Sequence, residues 1–204
     1  MLAVRQEVGG QWRAMDWVAV PSPIGPLGVA ADGTGICAIR FTGPPPKAVP
    51  LPEAGPLPEA GPPLEAGPRP VRPLLRDAAA QLTEYFAGSR TRFTIPLQAT
   101  GGTDFERAVW HAIATIPYAE MATYGQIAAR VGEPDAARAV GVACNRNPLP
   151  IVVPCHRVVG AGGKLVGFGG GLPRKRFLLE LEARVRIEHE FAGEEPDLTS
   201  EAAT

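Results

Sequence analysis

Cysteine is scarce in this 204-residue sequence, which holds only Cys37, Cys144 and Cys155. An odd, sparse set without CxxC spacing argues against a disulfide framework and for a reducing compartment. Histidine is equally scarce, at His111, His156 and His189. With Cys37 the one cysteine of the first half, a Cys/His zinc cage cannot be assembled, so no metal is expected. There is no N-terminal apolar stretch of the signal-peptide kind and no run of roughly 18 apolar residues. Secretion and membrane spanning are therefore not expected, and a cytoplasmic protein is. Net charge is also lacking, at −1 overall, so the total balance does not announce a nucleic-acid partner.

What is present begins with 45% hydrophobic residues, enough for the core of one large domain or two small ones. The bland total charge hides an asymmetry. Between Ala122 and Leu178 stand Arg130, Arg138, Arg146, Arg157, Lys164, Arg174, Lys175 and Arg176, against only Glu133 and Asp135. After Ala183 the sign reverses, with Glu188, Glu190, Glu194, Glu195, Asp197 and Glu201 against Arg184 and Arg186. A local basic face can hold phosphates on a nearly neutral protein, and a solvated charged face is the plainer alternative.

The first segment has the pattern of short strands and turns. Asp16–Val20 and Gly35–Phe41 are β-prone, the second follows a turn-like ADGTG, and a further strand is expected from near Leu27. Residues 44–73 then hold 12 of the 23 prolines, with LPEAGP twice in tandem and a PLEAGP variant after it. Prolines lack the amide hydrogen that helix and sheet need, so this is expected to be a disordered or polyproline-II insert. Leu75, Ala78, Leu82 and Phe86 share one face of a helix expected to begin at Leu74 and stop at Gly88. After a β-like RFTIPL, Thr103 and Glu106 form a capping-box pattern ahead of a stripe of Phe105, Val109, Ile113 and Ile116. Thr123 and Gln126 repeat that pattern before a short helix ending at Gly132, and Pro134 is expected to start another, reaching about Cys144. Two short helices across a tight turn make a helix-turn-helix pattern. The second is unusual in its small residues Ala136, Ala137, Ala139, Gly141 and Ala143, among which Arg138 alone projects. Such a face suits either tight helix packing or close approach to another surface with one cation inserted.

The chemistry-bearing stretch runs from Asn147 to Glu182, with Cys155 beside His156 after an apolar run and before a glycine-rich loop. Cysteine attacks a soft carbon only as thiolate, and a free thiol ionises at about pH 8.5, so it needs a neighbouring base or positive field. His156 can be that base, through a water if extended chain turns the two side chains apart, and a carboxylate such as Glu182 can orient the imidazole. On these residues alone a buried apolar-filler cysteine, a turning-over cysteine hydrolase and an alkyl acceptor all remain open.

At IVVPCHRVV the chain resembles the O6-alkylguanine-DNA alkyltransferase family, also called methylated-DNA–protein-cysteine methyltransferase. The resemblance extends to TYGQIA, RAVG, the NP before the signature and the FLLELE after it. It is close from about Phe105 to Glu182 and loose in the N-terminal segment. It implies irreversible, stoichiometric DNA repair, in which an alkyl group moves from O6 of guanine (with O4-alkylthymine the related lesion) to Cys155 of the protein itself. It implies that His156, Glu182 and a water form the activating relay, and that Asn147 is a hinge between recognition helix and active-site loop. Tyr124 would press on the 3′ phosphate and protonate N3 of the departing guanine. Arg138 would fill the stack once the base has flipped, with Ala136, Ala137, Ala139 and Gly141 against the minor groove. Pro150, Phe168 and Gly170 would line the substrate pocket, Phe168 standing where the family often has a tyrosine. The partner implied is double-stranded DNA, largely without regard to sequence, bound by a monomer without a cofactor. The expected fold is α+β. A small ribonuclease-H-like sheet domain spans residues 1–100 with the insert at 44–73, a winged-helix-like DNA-binding and alkyl-acceptor domain spans 101–185, and a disordered acidic tail spans 186–204.

Overall fold

A computed structural model describes residues 4–8, 11–42, 71–99 and 101–193. The proline-rich stretch through residue 70 and the acidic end from residue 194, both expected to be disordered, lie outside the described residues. Two compact units emerge, one of Met1–Thr83 with Thr94–Thr100, the other of Glu84–Phe93 with Gly101–Thr204.

The first unit is built on an antiparallel sheet of β1 (Val4–Val8), β2 (Gln11–Val20), β3 (Leu27–Ala31) and β4 (Ile36–Arg40), in chain order. All five residues of β3 are buried, which its LGVAA composition allows because no side chain there needs water. The turn into β4 is made by Asp32, whose carboxylate accepts from the Thr34 and Gly35 amides at 2.7 and 3.1 Å. Gly35 has a second reason to be glycine: a Cβ there would lie 2.7 Å from the Pro96 carbonyl oxygen. That close approach lets Ile36 pair with the returning chain, its amide reaching Pro96 O and its carbonyl the Gln98 amide. The β-like RFTIPL segment thus contributes a single bridge at Leu97 rather than a strand.

Helix α1 (Val71–Ala87) buries Leu74, Leu75, Ala78, Leu82 and Tyr85. It begins three residues before the expected Leu74, because proline is tolerated in a first helical turn where no amide partner is required. Its buried face passes through Tyr85, and Phe86 is only half-buried.

In the second unit both expected capping boxes form. Thr103 and Glu106 cap α2 (Asp104–Ala114), and Thr123 and Gln126 cap α3 (Tyr124–Arg130). Helix α4 (Ala137–Asn145) starts later than Pro134 suggests, since residues 134–135 form a turn and Ala136 is the cap residue. It packs against α2 and α3, and the Trp110 indole N–H donates to the Ala143 carbonyl at 2.8 Å. Strands β5 (Ala122–Thr123) and β6 (Val158–Val159) pair in parallel. Helix α5 (Leu172–Ala192) closes the unit and buries Lys175, Leu178, Leu181, Glu182 and Val185. Its continuation to Ala192 corrects the tail boundary at 186: Arg184–Glu188 and Arg186–Glu190 stand at i,i+4 spacing and support helix there. No helix among the described residues is long and apolar enough to cross a membrane.

Candidate active site

Residues 147–157 form the loop that places Cys155, and its shape starts with Asn147. The Asn147 side-chain oxygen accepts from the Leu149 amide at 3.0 Å, while its Nδ2 donates to Val153 O at 2.8 Å and to Cys155 Sγ at 3.2 Å. The Val153 amide closes the loop onto Leu149 O at 2.8 Å. At the tip, Ile151 has a φ of 77° although it is β-branched, a conformation costing on the order of 1–3 kcal/mol that its surroundings must offset. Cys155–Arg157 then make one turn of 3-10 helix. Extended chain here would set the Cys155 and His156 side chains on opposite sides. The turn instead rotates successive side chains by about 120° at three residues per turn.

Cys155 and His156 are both buried, at 4% and 0% exposure. The His156 Nε2 lies 2.8 Å from Glu182 Oε1. An ionised carboxylate only accepts, so Nε2 carries the hydrogen and Nδ1 keeps its lone pair. Nδ1 is buried and has no hydrogen-bond partner among the described residues. Burial, joined by the nearby Arg157 and Lys175 charges, outweighs Glu182 and holds the imidazole below its ordinary pKa, so it rests neutral. Burial likewise raises the Cys155 thiol above its ordinary value, against the Asn147 hydrogen bond and the Lys175 charge. The site therefore rests as thiol and neutral imidazole.

Glu182 is saturated with donors. Oε1 accepts from Tyr85 Oη at 2.8 Å, His156 Nε2 at 2.8 Å and Arg157 Nη2 at 3.0 Å. Oε2 accepts from Arg157 Nε at 2.9 Å and the Ala119 amide at 3.0 Å. Burial alone would raise this carboxyl, but His156 and Arg157 overrule it and hold it well below the usual carboxylate range.

Two cations of the basic stretch turn out not to be surface residues. Arg157 is buried against Glu182, with Nη1 on Ile116 O at 2.6 Å and its guanidinium 5.5 Å from the Tyr118 ring. Lys175 is fully buried, its Nζ on Val158 O at 2.6 Å and on Val166 O and Gly167 O at 3.2 Å each. Arg146 is paired with Glu106 at 2.8 Å. The surface is accordingly less basic than composition implies. Sequence reasoning missed Tyr85, Arg157 and Lys175 as site residues. A signal existed for Lys175: with Glu182 it falls on the Leu178, Leu181, Val185 stripe of α5, and a charge on a buried stripe needs a polar site to receive it. For Arg157 the local signal is its place next to His156, and for Tyr85 there is none.

The remaining candidates are spread over the same unit. The Tyr124 hydroxyl donates to Val166 O at 3.0 Å, and its ring lies 5.7 Å from Lys175 Nζ. Its phenol is pushed up to about 12 by burial and by Cys144 and Cys155, so it stays protonated. A Cβ on Gly141 would sit 3.8 Å from the Tyr124 ring, so the two helices of the helix-turn-helix meet there. Arg138 and Ala139 are exposed on α4, while Ala136, Ala137 and Gly141 are half-buried. Val142, at 49% exposure, joins that outer face as a larger apolar group than expected. Pro150 is buried in the Cys155 loop, whereas Phe168 (half-buried) and Gly170 (buried) belong to the loop before α5. There the Phe168 carbonyl accepts from the Gly171 amide and the Gly170 carbonyl from Arg174.

Fold and site together define a class: a two-unit protein whose helical half sets a buried cysteine beside a His–Glu pair and a helix-turn-helix. Residues 104–184 match the model of the 6-O-methylguanine DNA methyltransferase DNA binding domain, and residues 17–99 that of the ribonuclease-like domain of the same family. The chain belongs to the 6-O-methylguanine DNA methyltransferase family, and its second unit carries the DNA-binding domain. A methylated-DNA–protein-cysteine methyltransferase of Mycobacterium leprae is 47% identical over 83% of this chain and 90% of its own length. One of Methanosarcina acetivorans is 43% identical over 82% of this chain and 98% of its own length. The crystal structure of Mycobacterium tuberculosis OGT in complex with DNA superposes with a TM-score of 0.68 at 42% identity, covering 83% of this chain and 94% of that one.

Proposed function

We propose that this protein repairs DNA by direct reversal, taking the alkyl group from O6-alkylguanine onto Cys155 once per molecule. The observation that carries the proposal is the Cys155 thiol held by Asn147 Nδ2 next to a neutral imidazole whose other nitrogen is fixed on Glu182. The thiol proton passes through a bridging water to His156 Nδ1. The thiolate attacks the alkyl carbon, a C–S bond forms, and the C–O6 bond breaks with its electron pair going to the guanine. Tyr124, protonated at neutral pH, supplies the proton that neutralises the departing base at N3. Glu182 stabilises the imidazolium as it forms, and that differential stabilisation lowers the barrier. The thioether is stable, so the protein is consumed. O4-alkylthymine offers the same leaving-group chemistry.

An O6-alkyl group inside the duplex is out of reach of a buried cysteine, so the nucleotide must flip out, at a few kcal/mol of unstacking. Exposed Arg138 fills the gap, and the small residues of α4 fit a minor groove only about 6 Å wide. No base-reading amide stands on α4 from Ala137 to Cys144; Asn145, the last helical residue, is at the end away from Arg138. Recognition is therefore largely independent of sequence, as repair requires. We take the acting species to be a monomer in the cytoplasm.

Intact-mass spectrometry after incubation with an O6-methylguanine duplex tests the proposal. One added methyl group mapping to Cys155 is expected. No mass gain, or a methyl group on Cys144 or Cys37, would overturn it.

A further inference from the structure

Tyr85 touches Glu182 and has no part in the repair reading. Its ring is fully buried and packs against Phe86, Phe93 and Tyr118 at centroid distances of 5.3, 5.5 and 6.2 Å. Its hydroxyl donates to Glu182 Oε1, the same oxygen that receives His156 Nε2, each at 2.8 Å. The orientation of the carboxylate does not depend on this bond. Arg157 grips both oxygens, and the Ala119 amide holds Oε2. What the phenol changes is the electron density that Oε1 offers to the imidazole.

We propose that Tyr85 is a positioning residue of the alkyl-transfer relay, sharing Glu182 Oε1 with His156 so that the imidazole stays neutral and ready to take the Cys155 proton. This rests on the repair reading of the same site. The logic is competition for one acceptor. A second strong donor on Oε1 weakens the first, and a weaker bond to Nε2–H stabilises the imidazolium less. The charged and titratable groups facing the pair are Arg157 from the 3-10 turn, Lys175 from α5 and Tyr118 from the connection after α2. The two cations act in the same sense as Tyr85, disfavouring a protonated His156. The phenol itself stays protonated throughout, because burial and the Glu182 charge raise it well above its ordinary value.

The test is single-turnover methyl transfer from an O6-methylguanine duplex as a function of pH, with the His156 ring titration followed by NMR. Wild type is measured first; if it transfers no methyl group, the repair reading fails before Tyr85 is at issue. Tyr85→Phe keeps the packed ring and removes only the hydroxyl. The expected result is that the acid limb of the pH–rate profile and the NMR titration both move to higher pH by about half a pH unit. The plateau rate should change less than about threefold, because the groups touching the reacting atoms are untouched. Replacing Tyr85 by 3-fluorotyrosine, a more acidic phenol and a stronger donor, should move both readouts the other way. A role in the fold alone would lower the melting temperature and leave both pH readouts in place. Unmoved titrations, movement in the same direction for both replacements, or a Tyr85→Phe variant that does not fold would each overturn the inference.

Discussion

Replacing Glu182 by Gln is the sharpest single perturbation of this site, and the structure says it will do two things at once. Each carboxylate oxygen accepts: Oε1 from Tyr85, His156 and Arg157, Oε2 from Arg157 and the Ala119 amide. An amide keeps one oxygen. With that oxygen toward His156 and Tyr85, the new NH₂ faces the Arg157 and Ala119 N–H groups, donor against donor. Arg157 then loses its anion while buried at 7% exposure. Breaking a buried pair from one side costs about 3–5 kcal/mol. For a chain of this size that lowers Tm by roughly 6–20 °C. The catalytic consequence is separate. His156 loses the group that stabilises its protonated form, so transfer at neutral pH should fall strongly even where circular dichroism shows the variant folded. Rate should recover as rising pH ionises the thiol directly. Burial raises Cys155, so recovery should begin above the ordinary thiol value of about 8.5. Thermal unfolding together with single-turnover rates from pH 6 to about 10 measures both effects. A Tm within two or three degrees of wild type would refute the account of Arg157, and a superimposable pH–rate profile would remove Glu182 from the relay.

Acidification should act on the wild type through the same pair. His156 is held below its ordinary value, so its contribution is complete above about pH 6.5 and is lost as pH falls, because the unfolded chain binds a proton the folded one refuses. Glu182 adds a loss of the same sign below the ordinary carboxylate range of about 4.3; urea titrations at stepped pH should show stability declining in these two windows and not rising in either. Arg138→Ala should slow transfer from duplex DNA far more than from free alkylguanine base, and equal slowing would place Arg138 in the chemistry or the fold. Cys144→Ala should leave one methyl group accepted per molecule, since burial, with Cys155 close by, pushes that thiol up to about 12; mass spectrometry would expose any loss of stoichiometry. Ala119 has a φ of 58°, so Ala119→Gly should raise stability by about 0.5–1 kcal/mol in calorimetry, and a fall would mean the methyl group packs usefully there.

Much of the fold was legible because its signals are local. Both capping boxes join residues three apart, and both appear where Thr103 and Thr123 announced them. The strands at Leu27 and Ile36 and the turn between them follow from β-propensity and one aspartate. The errors lie where local rules are permissive. Pro73 is accepted inside the first turn of α1, Pro134 sits in a turn ahead of α4, and the RFTIPL segment makes only one bridge for lack of more partner strand.

The residues 154–157 by themselves determined that a cysteine, a base and a cation would stand together, since they are covalent neighbours. They could not determine what each would be. Arg157 and Lys175, counted as surface charge, are buried because Glu182 in one case and three backbone carbonyls in the other give them partners inside. Glu182 itself is 26 residues from His156 and 97 from Tyr85, and no period in the chain relates them. Protonation state depends on burial and on charges within a few ångströms, and only the tertiary structure sets those. It alone decides that Cys155 rests as a thiol, His156 as a neutral base and Glu182 as an anion.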